Sequence, residues 1–296
     1  MILRDFHAPI TQRFTTSRDG TSIAYYVVGN GPRHWLMPPA MGAPLVSMKY
    51  LLDHFARDYT IVTWDQRGFY RSATPRDPKA MRVEDHLDDL DAVAAAAGLE
   101  SYVLGGWSMA VQLSLEAYAH RADKIRGLVL ISGPYEKAIS SVAPIPIAET
   151  LALGALRVGA RASRVLNPLS RRLLGARGAA KTLHRVGLLA ENPEFFAEIL
   201  AEFSRVDWGR YFALTRYLHE HSAAHVLPRV NVPTLVIAGT HDFMTPVALA
   251  EKLHASIAGS ELYVVPRATH YIVAEFPDLL TARIREFFAR HRLLGG

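Results

Sequence analysis

The chain has 296 residues, half of them hydrophobic and 21% charged, with 33 Lys+Arg against 28 Asp+Glu, a formal charge of +5 and no cysteine. This is the composition of a soluble globular protein with material for a sizeable core, built as one large α/β domain or two domains of about 150 residues. The missing cysteine excludes a disulfide framework, a thiolate zinc site, an iron–sulfur cluster and a cysteine nucleophile.

The first residues, Met-Ile-Leu-Arg-Asp-Phe-His, lack a basic n-region and a sustained apolar run, and no window of about 18 residues is apolar and uncharged, so a cytoplasmic protein is expected. Phe14 to Ser17 and Ser22 to Val28 read as an antiparallel hairpin around Arg18-Asp19-Gly20, because Asp-Gly accepts the positive φ of a tight turn. After Gly29-Asn30-Gly31-Pro32 come six short apolar runs separated by helical stretches: Trp35 to Met37, Thr60 to Thr63, Tyr102 to Leu104, Leu128 to Ile131, Thr234 to Ala238 and Leu262 to Val265. Apolar strands buried on both faces and alternating with amphipathic helices predict a mostly parallel sheet covered on both sides. Val83 to Ala97 carries Leu87, Leu90, Val93 and Ala94 at helical spacing, and Gly98 stops it. Further helices open at Pro246 and after Pro277.

From about Pro134 to Pro228 the strand rhythm disappears, and helical segments such as Pro193 to Phe203 and Trp208 to His219 predict a helical insertion. The net positive charge belongs there. Between Thr150 and Ala190 stand Arg157, Arg161, Arg164, Arg171, Arg172, Arg177, Lys181 and Arg185 with no acid, and the rest of the chain carries 25 basic and 28 acidic residues. The pI near 9.4 therefore does not describe the uniformly basic surface of a nucleic-acid binder. Three readings compete for this segment: a solvated basic face, which the sequence favours, attraction of an anionic substrate or partner, and contact with an anionic membrane surface.

The residues with chemical meaning follow strand ends. Val103-Leu104-Gly105-Gly106-Trp107-Ser108-Met109-Ala110 runs from an apolar strand through small-x-Ser-x-small directly into a helix. Small residues on either side let the backbone turn sharply and present Ser108 beside helix N–H groups that can face a developing oxyanion. Serine needs a base, normally a histidine held in one tautomer by a carboxylate. Asp242 follows the run ending at Ala238, and His270 follows the run ending at Val265, so serine, acid and histidine fall on one rim of the sheet in that chain order. Of 13 histidines, only His270 has this placement.

Together these blocks resemble the α/β-hydrolase superfamily over nearly the whole chain. Asp65-Gln66-Arg67-Gly68-Phe69-Tyr70-Arg71-Ser72 is similar to its D-x-R-G-x-G-x-S block, Val232 to Gly239 with Asp242 and Pro246 to its acid block, and Ala268-Thr269-His270 with Glu275 and Pro277 to its histidine block. The resemblance implies an eight-stranded, mostly parallel sheet flanked by helices, with a core of residues 1–132 and 231–296 and a helical cap over 133–230. It also implies a catalytic triad of Ser108, Asp242 and His270, with the Met41 and Met109 backbone N–H groups as oxyanion hole. Pro39-Ala40 stands where the family has His-Gly, and Ala110 and Tyr70 replace glycines; narrower access is expected from this bulk. Trp107, Phe243, Met244 and Tyr135 are the expected substrate contacts.

Other candidates carry less. Glu136 follows the strand ending at Ile131, an alternative place for the acid, but lies further down its loop. Asp65 is expected to hold the Arg67 loop. His219, His221 and His225 invite a metal reading, against which a solvated helix surface is preferred, and no cofactor or metal is implied. The expected function is a serine hydrolase acting on a carboxylic ester, lactone or thioester of a small, largely apolar substrate. A C–C bond hydrolase, a perhydrolase and a receptor-like binder are the alternatives; no nucleic-acid partner is expected, membrane contact is not favoured, and the oligomeric state is open.

Overall fold

The structure, a computed structural model, describes residues 6–139, 146–176 and 178–294. Arg177 of the basic stretch lies outside the described residues, as do both chain ends. Strands β1 (Ile10–Thr16) and β2 (Ser22–Val28) form the hairpin, and Gly20 takes φ +84° in its turn, where Asp19 accepts the Thr21 N–H at 2.9 Å. β3 (Arg33–Leu36), β4 (Tyr59–Trp64), β5 (Tyr102–Trp107), β6 (Ile125–Ile131), β7 (Thr234–Gly239) and β8 (Glu261–Val265) complete one eight-stranded sheet in the order β1-β2-β4-β3-β5-β6-β7-β8. β3 to β8 run parallel, while β2 joins β4 antiparallel and β1 joins β2 antiparallel.

Alternation along each strand divides the core. Leu104, Leu128, Leu130 and Val236 face one layer, which holds helices α2 (Val83–Ala96), α3 (Met109–Arg121) and α9 (Val247–Ser256). Val103, Val129, Leu235 and Ile237 face the other, which holds α1 (Lys49–Phe55) and α11 (Pro277–Arg290). Trp35 anchors this second layer against Phe55 and Phe288, and its indole N–H donates to the Gly105 carbonyl at 3.0 Å. The Asp65 loop is held by buried charge. Arg67, fully buried, makes a two-pronged contact with Asp89 at 2.8 and 2.5 Å and reaches Asp19 at 2.9 Å. Asp65 holds the same loop differently, accepting the Tyr26 hydroxyl at 2.8 Å and the Arg71 N–H at 3.1 Å.

Between β6 and β7 run helices α4 (Pro146–Arg161), α5 (Ser163–Leu173), α6 (Ala179–Arg185), α7 (Pro193–Phe203) and α8 (Trp208–Glu220), with no strand among the described residues of that stretch. Phe195, Phe196, Ile199 and Leu200 of α7 form a third apolar cluster with Val46, in a 3-10 turn before α1, and Ala274, in the short helix after β8. A short helix, α10 (Ile272–Glu275), follows β8.

Candidate active site

β5 ends at Trp107 and α3 begins at Met109, leaving Ser108 alone to make the turn with φ +61° and ψ −121°. A non-glycine residue there is strained and persists only where its surroundings hold it. The Ser108 N–H donates to the Ile131 carbonyl at 2.8 Å, which ties the turn to β6. A Cβ at Gly105 would lie 2.0 Å from the Val129 carbonyl oxygen, and one at Gly133 would lie 2.2 Å from the Ser108 carbonyl oxygen. Close passage of three backbones thus aims the serine side chain upward at the sheet's C-terminal rim.

His270 meets it there. Its Nε2 is 2.9 Å from Ser108 Oγ, and its Nδ1 is 2.9 Å from Asp242 Oδ2. A carboxylate can only accept, so Nδ1 carries the proton and Nε2 is free to accept from the serine hydroxyl. Asp242 is fixed in turn by the Met244 and Thr245 N–H groups at 2.9 and 2.7 Å and by the Thr245 hydroxyl at 2.6 Å. Burial pushes the Asp242 pKa up, but the His270 charge and these hydrogen bonds outweigh it, and the carboxyl stays below its ordinary value. The histidine loop has two further supports. Trp107 Nε1 donates to the His270 carbonyl at 2.7 Å, and Glu275 accepts the Thr269 N–H and hydroxyl at 2.8 and 2.7 Å and the Ala190 N–H at 2.7 Å.

Neither the Met41 nor the Met109 backbone N–H meets an acceptor among the described residues. The loop carrying Met41 is braced by two residues whose part is invisible in sequence. Buried Gln66 accepts the Gly42 N–H at 2.6 Å and donates to Met109 Sδ at 3.1 Å, and the Tyr70 hydroxyl donates to the Gly42 carbonyl at 2.6 Å. Gly42 itself sits at φ +62°.

Ser108 and His270 open into a cavity of about 280 Å³. Met41 and Pro44 line one side, Trp107, Met244 and Tyr271 another, and Phe196, Leu200, Phe203 and Tyr211 of α7 and α8 form the roof. Of the expected contacts, Trp107 and Met244 are in place. Phe243 is not: the turn in which Asp242 accepts the Met244 N–H points Met244 inward and leaves Phe243 49% exposed, outside the lining. Tyr135 is also elsewhere. Its carbonyl is bound by the Ala223 N–H at 2.8 Å, and its ring is buried in the layer with Leu214, Tyr217 and Leu218. Nor do Tyr70 and Ala110 narrow the cavity. Ala110 is fully buried beneath the turn, and Tyr70 faces a separate polar cavity beside Asp65 and Arg71.

Glu136 bridges Ser222 at the segment's base and has no contact with His270. His219 takes the Ile139 N–H at Nδ1 and meets Glu149 at 3.0 Å, while His221 and His225 turn to Glu116 at 3.2 and 3.8 Å. No group of metal-ligating side chains with the geometry to hold an ion occurs among the described residues.

A strained serine between strand and helix, a histidine and a buried carboxylate on one rim of such a sheet define a class of proteins. Residues 36–277 match the model of the alpha/beta hydrolase fold, and the chain belongs to that family. It is 24% identical over 274 residues to the mouse (Mus musculus) serine hydrolase BPHL, covering 91% of this chain and 84% of that protein. It is 27% identical over 262 residues to the pimeloyl-[acyl-carrier protein] methyl ester esterase of Neisseria meningitidis, covering 81% of this chain and 95% of that protein. Among solved structures, a thermophilic esterase from Thermogutta terrifontis superposes with a TM-score of 0.76 at 22% identity, over 95% of this chain and 99% of that one.

Proposed function

We propose that the chain is a serine hydrolase that cleaves a carboxylic ester, lactone or thioester of a small, largely apolar substrate through an acyl-enzyme. The observation that carries this reading is the unbroken hydrogen-bonded relay Asp242–His270–Ser108, 2.9 Å at each step, opening into an apolar cavity. In this reading helices α4 to α8, residues 133–230, are a cap over the core of residues 1–132 and 231–296.

His270 Nε2 takes the proton as Ser108 Oγ attacks the carbonyl carbon. Charge gathers on the carbonyl oxygen, and the Met41 and Met109 N–H groups, the latter at the positive end of α3, receive it. Asp242 holds the Nδ1 proton in place and stabilises the imidazolium. His270 then delivers its proton to the leaving oxygen or sulfur, and the acyl group stays on Ser108. Water, deprotonated by the same nitrogen, attacks the ester so formed and releases the acid and free serine. Gln66 and Tyr70 are positioning residues: by binding both sides of Gly42 they orient the peptide units next to the Met41 donor.

Steady-state hydrolysis of a p-nitrophenyl ester and labelling by a fluorophosphonate test this together. Ser108→Ala should lose both, and Asp242→Asn should lower kcat by roughly 10³- to 10⁴-fold. Turnover surviving in Ser108→Ala overturns the mechanism; labelling of the native chain without turnover on any ester favours a receptor-like binder.

A further inference from the structure

The cap carries apolar surface that nothing among the described residues covers. Eleven large hydrophobic side chains are exposed among the described residues, and eight of them lie between Ile147 and Leu188. Their spacing is ordered. Ile147, Leu151 and Val158 share one face of α4, four and eleven residues on from the first, and Val165, Leu169 and Leu173 share one face of α5; all six are 45% to 72% exposed. The inward side of α4 is apolar as well: Leu153 and Leu156 are half-buried, and a Cβ at Gly159 would come within 2.7 Å of Phe212 on α8. A helix that is apolar on both sides is made to be covered on both.

The cover must be negatively charged. Arg157 and Arg161 flank the α4 stripe, Arg164 and Arg172 flank that of α5, and all four are exposed. Lys181 and Arg185 extend the same charge along α6. A second copy meeting this face by a two-fold axis would set arginine against arginine, and long basic side chains beside short aliphatic stripes are the composition of helices that lie in a lipid interface. We infer that this face of the cap docks on an anionic lipid surface, with the aliphatic stripes inserted and the arginines at the headgroups. The α5 end of this face reaches the cavity: Leu173 is exposed while its neighbour Leu174 lines the site.

Flotation of the full chain with phosphatidylcholine vesicles, with and without phosphatidylglycerol, tests the inference. The chain should float with the anionic vesicles, not with the neutral ones, and should be released as salt rises. Leu151→Ser/Leu169→Ser should weaken vesicle binding by at least about tenfold, because each leucine contributes a buried side chain. Arg164→Glu/Arg172→Glu should weaken it by at least about tenfold through the lost headgroup attraction. Both variants change exposed side chains, and unaltered thermal midpoints and fluorophosphonate labelling will establish that they fold. No flotation on anionic vesicles overturns the inference. So does undiminished binding by the leucine variant, which would leave only a charge contact, or a dimer in light scattering that the leucine variant dissociates.

Discussion

Gly42 is held from both sides, by Gln66 at its N–H and by Tyr70 at its carbonyl, and single-residue changes there separate positioning from binding. Gln66→Leu frees the Gly42 peptide without touching the cavity wall. It should lower kcat by about tenfold to a hundredfold while KM moves little, since a donor used only in the transition state is displaced. Tyr70→Phe should cost less, because Gln66 still holds the peptide; a rise in KM at constant kcat in either variant would assign these residues to substrate binding instead. Two buried carboxyls act oppositely on stability. Burial drives the Asp65 pKa up to about 6, so its ionisation is disfavoured in the fold, and the stability it leaves at low pH is lost as pH rises from about 4 through 6. Asp65→Asn should remove that slope, worth about 3 kcal/mol in full, in denaturant titrations at pH 4 and pH 7. Asp242 is lowered, so its contribution is present above the ordinary carboxyl range and is lost as pH falls through its folded value.

At the scale of elements, the strand-to-helix turn depends on β5 and β6 passing too closely for a side chain. Gly105→Ala places a Cβ against the Val129 carbonyl and should destabilise the fold by about 3 kcal/mol, read as a lowered thermal midpoint, with loss of fluorophosphonate labelling in what remains folded. The other edge relies on charge. Glu261 on β8 binds Arg283 and Arg290 of α11 and His291 beyond it. Glu261→Ala should cost only about 1 kcal/mol, less in high salt, because much of this cluster faces solvent. Much of this level is legible in sequence: the hairpin at Asp19-Gly20, the six parallel strands, and Ser108, Asp242 and His270 each just past a strand end follow from local pattern, although β8, at the sheet edge, is only half-buried and not covered on both faces. Phe243 and Tyr135 are not. Neighbours on a loop share a position in sequence, but the Asp242 turn sends Met244 inward and Phe243 outward, and the pairing with Ala223 buries the Tyr135 ring in another layer.

The whole molecule makes the site from distant segments. Ser108 and His270 stand 162 positions apart, and the roof comes from α7 and α8, between β6 and β7. An apolar space of about 280 Å³ suits a short or medium acyl chain, so activity across p-nitrophenyl esters should fall sharply toward palmitate. Phe203→Trp should shift the optimum to shorter chains, as a rise in KM for the longer ones; an unchanged profile would place the acyl group elsewhere. The amino-acid sequence by itself determined the sheet, the serine turn and the order of Ser108, Asp242 and His270 along its rim, because these rest on short-range spacing and on motifs bound to strand ends. Only the tertiary structure decided which residues of helices α4 to α8 line the cavity, that Gln66 and Tyr70 brace Gly42, and that α4 and α5 leave aliphatic stripes in solvent. Those outcomes depend on how helices remote in sequence pack against one another, and local periodicity says which face of a helix is apolar but not what will cover it.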